Sequence, residues 1–342
     1  MERERDQMKY CIATLLLLAG CAAGQETTAL TLKTHVALPN IDGRMDHLSV
    51  DIKGQRLFVS ALGNNTVEVI DLQSGQRVRT LPGLAEPQGL LYDASTNRLY
   101  AANGVDGATK IFDGKTFQLL DTVKFADDAD NIRYDARSRS VAVGYGGEKG
   151  LRGRPQGSGA LGILDSSGKL TREIVVDAHP ESFQLEKTGT RVFVNVPDKQ
   201  EIQVADFVKG TILARWPTTA AKTCFPMALD EAHHRLFSGC RAPARLLVFD
   251  TESGQTVASP EIVSDTDDLF YDSARSRIYV IGGQGFIDVL QQKDPDHYDR
   301  IARYPTPPGT RTGLFVPDLG KLFASVPHRG EQRSEILVYE AK

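Results

Sequence analysis

A short apolar segment, introduced in six of seven cases by a basic residue, recurs along the whole chain. It reads Arg56-Leu57-Phe58-Val59, Arg98-Leu99-Tyr100-Ala101, Ser140-Val141-Ala142-Val143, Arg191-Val192-Phe193-Val194, Arg235-Leu236-Phe237-Ser238, Arg277-Ile278-Tyr279-Val280 and Lys321-Leu322-Phe323-Ala324. Successive copies begin 42, 42, 51, 44, 42 and 44 residues apart. Five residues before the segment stands an acid: Asp51, Asp93, Asp135, Glu186, Asp230 and Asp272, with Val316 in the last copy and Asp318 close by. A turn and a third apolar run follow, as in Val67-Glu68-Val69-Ile70-Asp71, then a turn such as Gln73-Ser74-Gly75-Gln76 and a fourth run from Arg77 to Leu81. Apolar and polar residues alternate with period two, the mark of strands. Four short strands in a unit of about forty residues make a propeller blade rather than part of a β-sandwich or an open solenoid. The expected fold is therefore all-β, a seven-bladed β-propeller with four-stranded blades. The seventh repeat stops after its third strand, Glu335 to Tyr339, while a spare strand, Leu30 to Leu38, precedes the first. Joining the two closes the ring and removes exposed sheet edges.

A length of 342 residues would by itself suggest two domains, but the repeat makes residues 26–342 one. The net charge of −4 without a basic block excludes a nucleic-acid partner, since phosphate binding needs clustered Lys and Arg. Residues 1–25 read as a leader. Ile12 to Leu18 is too short to span a bilayer as a mature helix. It ends in Leu18-Ala19-Gly20-Cys21, which resembles a bacterial lipoprotein box, implying acylation of Cys21; cleavage after Gly24 is the alternative. Met8-Lys9 is a cleaner start than Met1 with its mixed charges. The expectation is an exported protein, periplasmic or an outer-membrane-anchored lipoprotein, whose membrane contact is limited to that anchor. Cys224 and Cys240 would then sit in an oxidising compartment, nearly opposite each other on a hairpin. A disulfide is the preferred reading, with free thiols or a thiolate metal site as alternatives.

Arg56-Leu57-Phe58-Val59, Asn65-Thr66-Val67-Glu68-Val69-Ile70-Asp71 and Glu86-Pro87-Gln88-Gly89 carry a likeness to a known family. Over residues 30–342 the chain resembles the YVTN-repeat, YncE-like seven-bladed propellers of bacterial envelopes. The resemblance implies a fold and no single function, because such propellers host binding, scaffolding and catalysis. A WD40 or quinoprotein propeller fits less well: Trp216 is the one tryptophan, and no Trp-Asp pair occurs.

The innermost strand of each blade begins at one mouth of the central channel. Counting back five residues from the acidic position gives Asp46, Gln88, Asp130, Glu181, Phe225, Asp267 and Arg311. The next column is His47, Gly89, Asn131, Ser182, Pro226, Asp268 and Thr312, and two residues before the first come Arg44, Glu86, Asp128, His179, Thr223, Asp265 and Gly309. A purely structural column would repeat one residue type; these differ from blade to blade while staying mostly polar, as a binding site requires. The expected ligand-binding residues are Arg44, Asp46, His47, Gln88, Asp130, Asn131, His179, Glu181, Asp267, Asp268 and Arg311. An ion-paired, water-filled funnel with no ligand is the plainer alternative. Crowded carboxylates need arginines, a cation or raised pKa values. Asp46, Asn131, Glu181 and Asp267 are the candidate metal ligands, for Ca²⁺ if oxygens dominate or Zn²⁺ if histidines join. His47 and His179 are the candidate catalytic bases.

The third repeat carries an insertion around Gly146 to Gly159, with Lys149, Arg152 and Arg154, on the same face as the mouth. It is either a lid or anion-attracting arm, or a plain surface loop. No Walker A loop, Gly-x-Ser-x-Gly elbow or His-Glu-x-x-His motif is present. Two functions follow. One is an envelope propeller that binds a small molecule, an ion or a partner protein at the mouth. The alternative is a metal-dependent hydrolase resembling gluconolactonase-type propellers, although that family is six-bladed. A partner to a redox enzyme is a lesser reading, by fold analogy.

Overall fold

The computed structural model describes residues 28–147, 151 and 153–342. The leader with Cys21 and the two candidate start residues, and Lys149 and Arg152 of the insertion, lie outside them. The chain forms seven four-stranded antiparallel sheets. Their inner strands touch in sequence, each with the next and the seventh with the first, so the sheets stand as blades around a closed ring. Blade 1 is Leu48–Asp51, Arg56–Ala61, Thr66–Asp71 and Gln76–Leu81, and the other blades repeat its order.

The hydrophobic core lies between blades. Phe58, Val67 and Val69 of blade 1 pack on Leu90, Leu99 and Ala101 of blade 2, all buried. Each middle strand is covered on both faces, so it reads as a nearly unbroken apolar run, whereas the outer strand Gln76–Leu81 faces solvent over most of its length. Burying each large apolar side chain is worth about 1.5–3 kcal/mol, and the repeat delivers that gain at every interface.

The conserved look of the basic anchor has a mechanical cause. Arg56 pairs with Asp51 through Nε (3.1 Å) and Nη2, and its Nη1 donates to the carbonyl of Gly114 in blade 2. Arg98 donates to Ser166, Arg191 to Thr251, Arg235 to Pro295 and Arg277 to Lys342, in each case a carbonyl just after the third strand of the next blade. The anchors are thus clamps from blade to blade on the face where inner strands end, here the lower face. Blade 3 has Ser140 in place of arginine, and its Asp135 is held locally by Ser138 (2.6 Å) and Arg137 (3.1 Å).

Ring closure follows the expected route. Leu30–Ala37 pairs antiparallel with Glu335–Ala341, from Leu30 opposite Ala341 to Ala37 opposite Glu335, and forms the outer strand of blade 7. In blade 5, Cys224 and Cys240 are direct cross-strand partners and their sulfurs are bonded.

Candidate binding site at the channel mouth

Three of the seven inner strands begin irregularly, and that irregularity aims their first residues at the axis. In blade 2, Pro87 pairs with Asn103 and Leu90 with Ala101, so Gln88 and Gly89 share a single opposing residue. Blade 5 has a similar break between Cys224 and Met227, and blade 6 one between Thr266 and Asp268. Such β-bulges bend a strand and redirect side chains, and they favour sites next to functional groups. A second repeated device stands two residues upstream. Glu86, Asp128, Thr223, Asp265 and Gly309 have φ of 53°, 35°, 56°, 57° and 85°, the left-handed region that L-residues other than Asn and Asp seldom adopt. This column is therefore in large part a turn that lets the chain reverse into the channel; Arg44 and His179 are its exceptions.

All eleven residues expected from the sequence line one cavity of ≈ 850 Å³ that follows the channel axis, within the range of small-molecule sites. The mouth divides into two halves. In the half formed by blades 5, 6, 7 and 1, carboxylates meet arginines. Asp267 is the hub: Arg311 Nε lies 3.0 Å from its Oδ2, Arg241 Nη2 donates to Oδ1, and Arg44 Nη2 stands 3.9 Å away. Arg44 also donates to Asp46 (2.7 Å), and Arg311 to Asp265 (3.1 Å). Burial works against the charge of Arg44, but Asp46 and Asp267 outweigh it and raise its pKa.

His47 lies at the seam between the halves. Its Nδ1 is 3.2 Å from Asp268 Oδ2 and its Nε2 is 3.3 Å from the Asn131 amide. Burial opposes protonation of this ring, yet Asp268 and Asp46 push its pKa up to about 10. Asp268 is fixed in turn by the backbone N–H of Gly313 (2.8 Å). Held to Asp268 through Nδ1, His47 is an ion-pair partner more than a free base.

The other half belongs to blades 2, 3 and 4. Gln88 donates to Asp128 (2.8 Å). His179 Nδ1 is 2.5 Å from the carbonyl oxygen of Gly146 and 3.7 Å from Asp128 Oδ2, while its Nε2 is 3.9 Å from Asp130 Oδ2. Burial again resists the charge on His179, and Asp130, Glu181 and Asp128 override it, lifting its pKa to about 10. Burial and the neighbouring Asp130 carry the Glu181 carboxyl well above the usual carboxylate range. Burial acts on Asp130 in the same direction, but its contact with His179 and the charges of His47 and Arg44 bring it below that range.

The four metal ligands read from the sequence are divided between these halves. Asp267 spends its oxygens on arginines, Asn131 faces His47, and Asp46 receives Arg44. Among the described residues, the metal-binding side chains that come together are Asp130, His179 and Glu181, with one ligand atom from each within 4.8 Å of the others.

Three residues escaped the sequence reading. Arg241 ends the second strand of blade 5 (Arg235–Ala242), outside the inner-strand columns; it lies 4.0 Å over the Phe225 ring and supplies a third cation to Asp267. Its place directly after Cys240 was the available signal. Asp128 appeared in a column but was not chosen, although it stands beside both Gln88 and His179. Arg133, deeper in the channel, is turned back onto the carbonyl of Ile132 (2.9 Å), with its pKa lowered by burial. In the insertion, Gly146 and Gly147 form a root against His179, while Arg154 is exposed beside a small recess with Phe125, Tyr145 and Glu173.

No family model matches the chain. It is 21% identical over 276 residues to the uncharacterized protein YncE of Salmonella typhimurium, covering 74% of this chain and 73% of that protein. The YncE of Salmonella typhi matches at the same identity over the same span. The chain is thus a seven-bladed propeller with distant sequence similarity to YncE over most of its length.

Proposed function

We propose that the protein is an exported binding propeller whose channel mouth holds a small polar molecule, an ion or a protruding group of a partner protein. One observation carries the reading: seven blades built alike deliver unlike polar side chains to a single cavity of ≈ 850 Å³. A structural funnel would be served by one repeated residue, as the lower face is by its arginine clamps in five blades. Convergence of different donors and acceptors on one space is what recognition of an unsymmetrical ligand needs. Binding is favoured over metal-assisted lactone hydrolysis because the four ligands that hydrolysis would use are split between the two halves, and the first candidate base, His47, is tied to Asp268 through Nδ1.

The test is a thermal-shift screen of the purified protein against small polar metabolites, joined to native mass spectrometry of whatever co-purifies and a pull-down from envelope extract. A binder present at about 100 times its Kd stabilises by about 2.7 kcal/mol, a shift of several degrees that Gln88→Ala should reduce. If no compound shifts the melting temperature, no mass co-purifies and no partner is captured, the reading falls. Export rests on Leu18-Ala19-Gly20-Cys21. Labelled palmitate entering the wild-type protein but not Cys21→Ser supports a lipid anchor, and equal labelling of both removes it.

A further inference from the structure

We infer that Asp130, His179 and Glu181 form a binding site for one divalent transition-metal ion of the zinc class, oriented by the insertion in blade 3. This deepens the proposed function, since it names a ligand for one half of the same mouth.

The donor set comes first. An imidazole with two carboxylates is a mixed N and O set that suits Zn²⁺ and leaves room for a further ligand. Ligand atoms of the three residues lie within 4.8 Å of one another. Around an ion with bonds of about 2.0–2.2 Å they would stand about 3.4 Å apart, so side-chain rotations of about an ångström complete the site.

Two independent observations point to a ligand. Asp130 is only 6% exposed, yet its Oδ1 has no hydrogen-bond partner, although the residue lines the cavity. A buried carboxylate oxygen left this way costs free energy that a cation would recover. The second is the hold on His179. Its Nδ1 donates to the carbonyl of Gly146 (2.5 Å), which turns Nε2 toward Asp130. Metal-binding histidines are oriented in this manner, by giving the other ring N–H to a carbonyl or carboxylate. The local backbone is shaped for that contact. Gly146 and Gly147 have φ of 91° and 113°, and a Cβ on Gly147 would stand 2.6 Å from His179 Cβ. Only glycine lets the chain pass so close to His179.

The probe is zinc chloride, titrated by calorimetry and native mass spectrometry into full-length protein stripped with chelator. One equivalent is expected. His179→Gln and Glu181→Gln should each weaken it by about tenfold or more, and Gly147→Ala, which touches no metal, by about tenfold through the displaced carbonyl. Cobalt in place of zinc should give the visible absorption of a low-coordinate site, lost in His179→Gln while circular dichroism stays native. His297→Gln removes the exposed His297–Asp294 pair on the rim and should change nothing. Absence of stoichiometric zinc, unchanged affinity in both ligand variants, or loss of the equivalent in His297→Gln overturns the site. If a small molecule still stabilises a protein that ignores zinc, this inference fails and the binding reading stands; if neither binds, both fail.

Discussion

The two faces of the ring use the same chemistry for opposite purposes. On the lower face a guanidinium reaches a carbonyl of the next blade, in blades 1, 2, 4, 5 and 6 alike. On the upper face Asp267, Asp130, Gln88 and Arg311 occupy equivalent positions and each has different partners. Uniform load between identical units favours a repeated residue, whereas a ligand has no seven-fold symmetry and breaks it. The upper face is itself unequal. Around Asp267 three arginines converge, while the cation that contacts Asp130 is a histidine, His179.

The sharpest way to break the comparison is Asp267→Ala. It leaves the arginines around Asp267 facing one another in a largely buried site, and breaking such a pair costs about 3–5 kcal/mol. Urea denaturation should show that loss; a cost below about 1 kcal/mol would mean the upper face carries no structural load. Next is Arg56→Ala on the lower face. Losing its bonds to Asp51 and Gly114 should cost about 2–3 kcal/mol of stability while leaving ligand shifts at the mouth unchanged. An altered ligand shift would join two faces that are separate here.

A third, smaller effect is read from pH. His47 is held at about 10 in the folded protein against about 6.5 in the unfolded chain. Its contribution is therefore fully present below pH ~6.5 and is lost as pH rises toward 10. His47→Gln should flatten the stability curve in that window by up to about 1.4 kcal/mol per pH unit, with the remaining slope due to His179 and Glu181. An unchanged slope would show that His47 is neutral. The smallest effect is expected at Glu181→Gln in chelator. A buried carboxyl whose charge is disfavoured by burial and Asp130 should be replaceable by its neutral isostere within about 1 kcal/mol. A large loss there would make the two halves alike after all.

The blades were legible because period, anchor and acid recur at one spacing, and the clamps explain why they must: each arginine serves two blades at once. The mouth was legible in part. Counting back from the acid found the inner-strand residues, since the chain enters every blade the same way. It could not rank them, because whether Asp267 or Asp130 is already satisfied depends on partners such as Arg241, which arrives from the far end of another strand. The column of Arg44 and His179 was misleading for a different reason. Most of its members are placed by backbone conformation, with φ positive, and a linear string of residues does not display dihedral angles.

The strand that completes blade 7 has a consequence for how such a molecule is made. Leu30 pairs with Ala341, and the amide of Lys342 donates to Ala29 (3.0 Å), so the first and last strands are neighbours. Topologically the polypeptide is a circle cut within one blade. During synthesis, the strand Leu30–Ala37 waits for its partner Glu335–Ala341, with its edges open in the interval. The loop that finally closes spans roughly 310 residues; its entropy grows only with the logarithm of length, so delay is paid in rate more than in stability. The same adjacency lets the cut be moved. A circular permutant that links residues 28 and 342 and opens the exposed turn at Gly83, between blades 1 and 2, keeps all seven blades and makes each of them continuous in sequence, so that no strand waits.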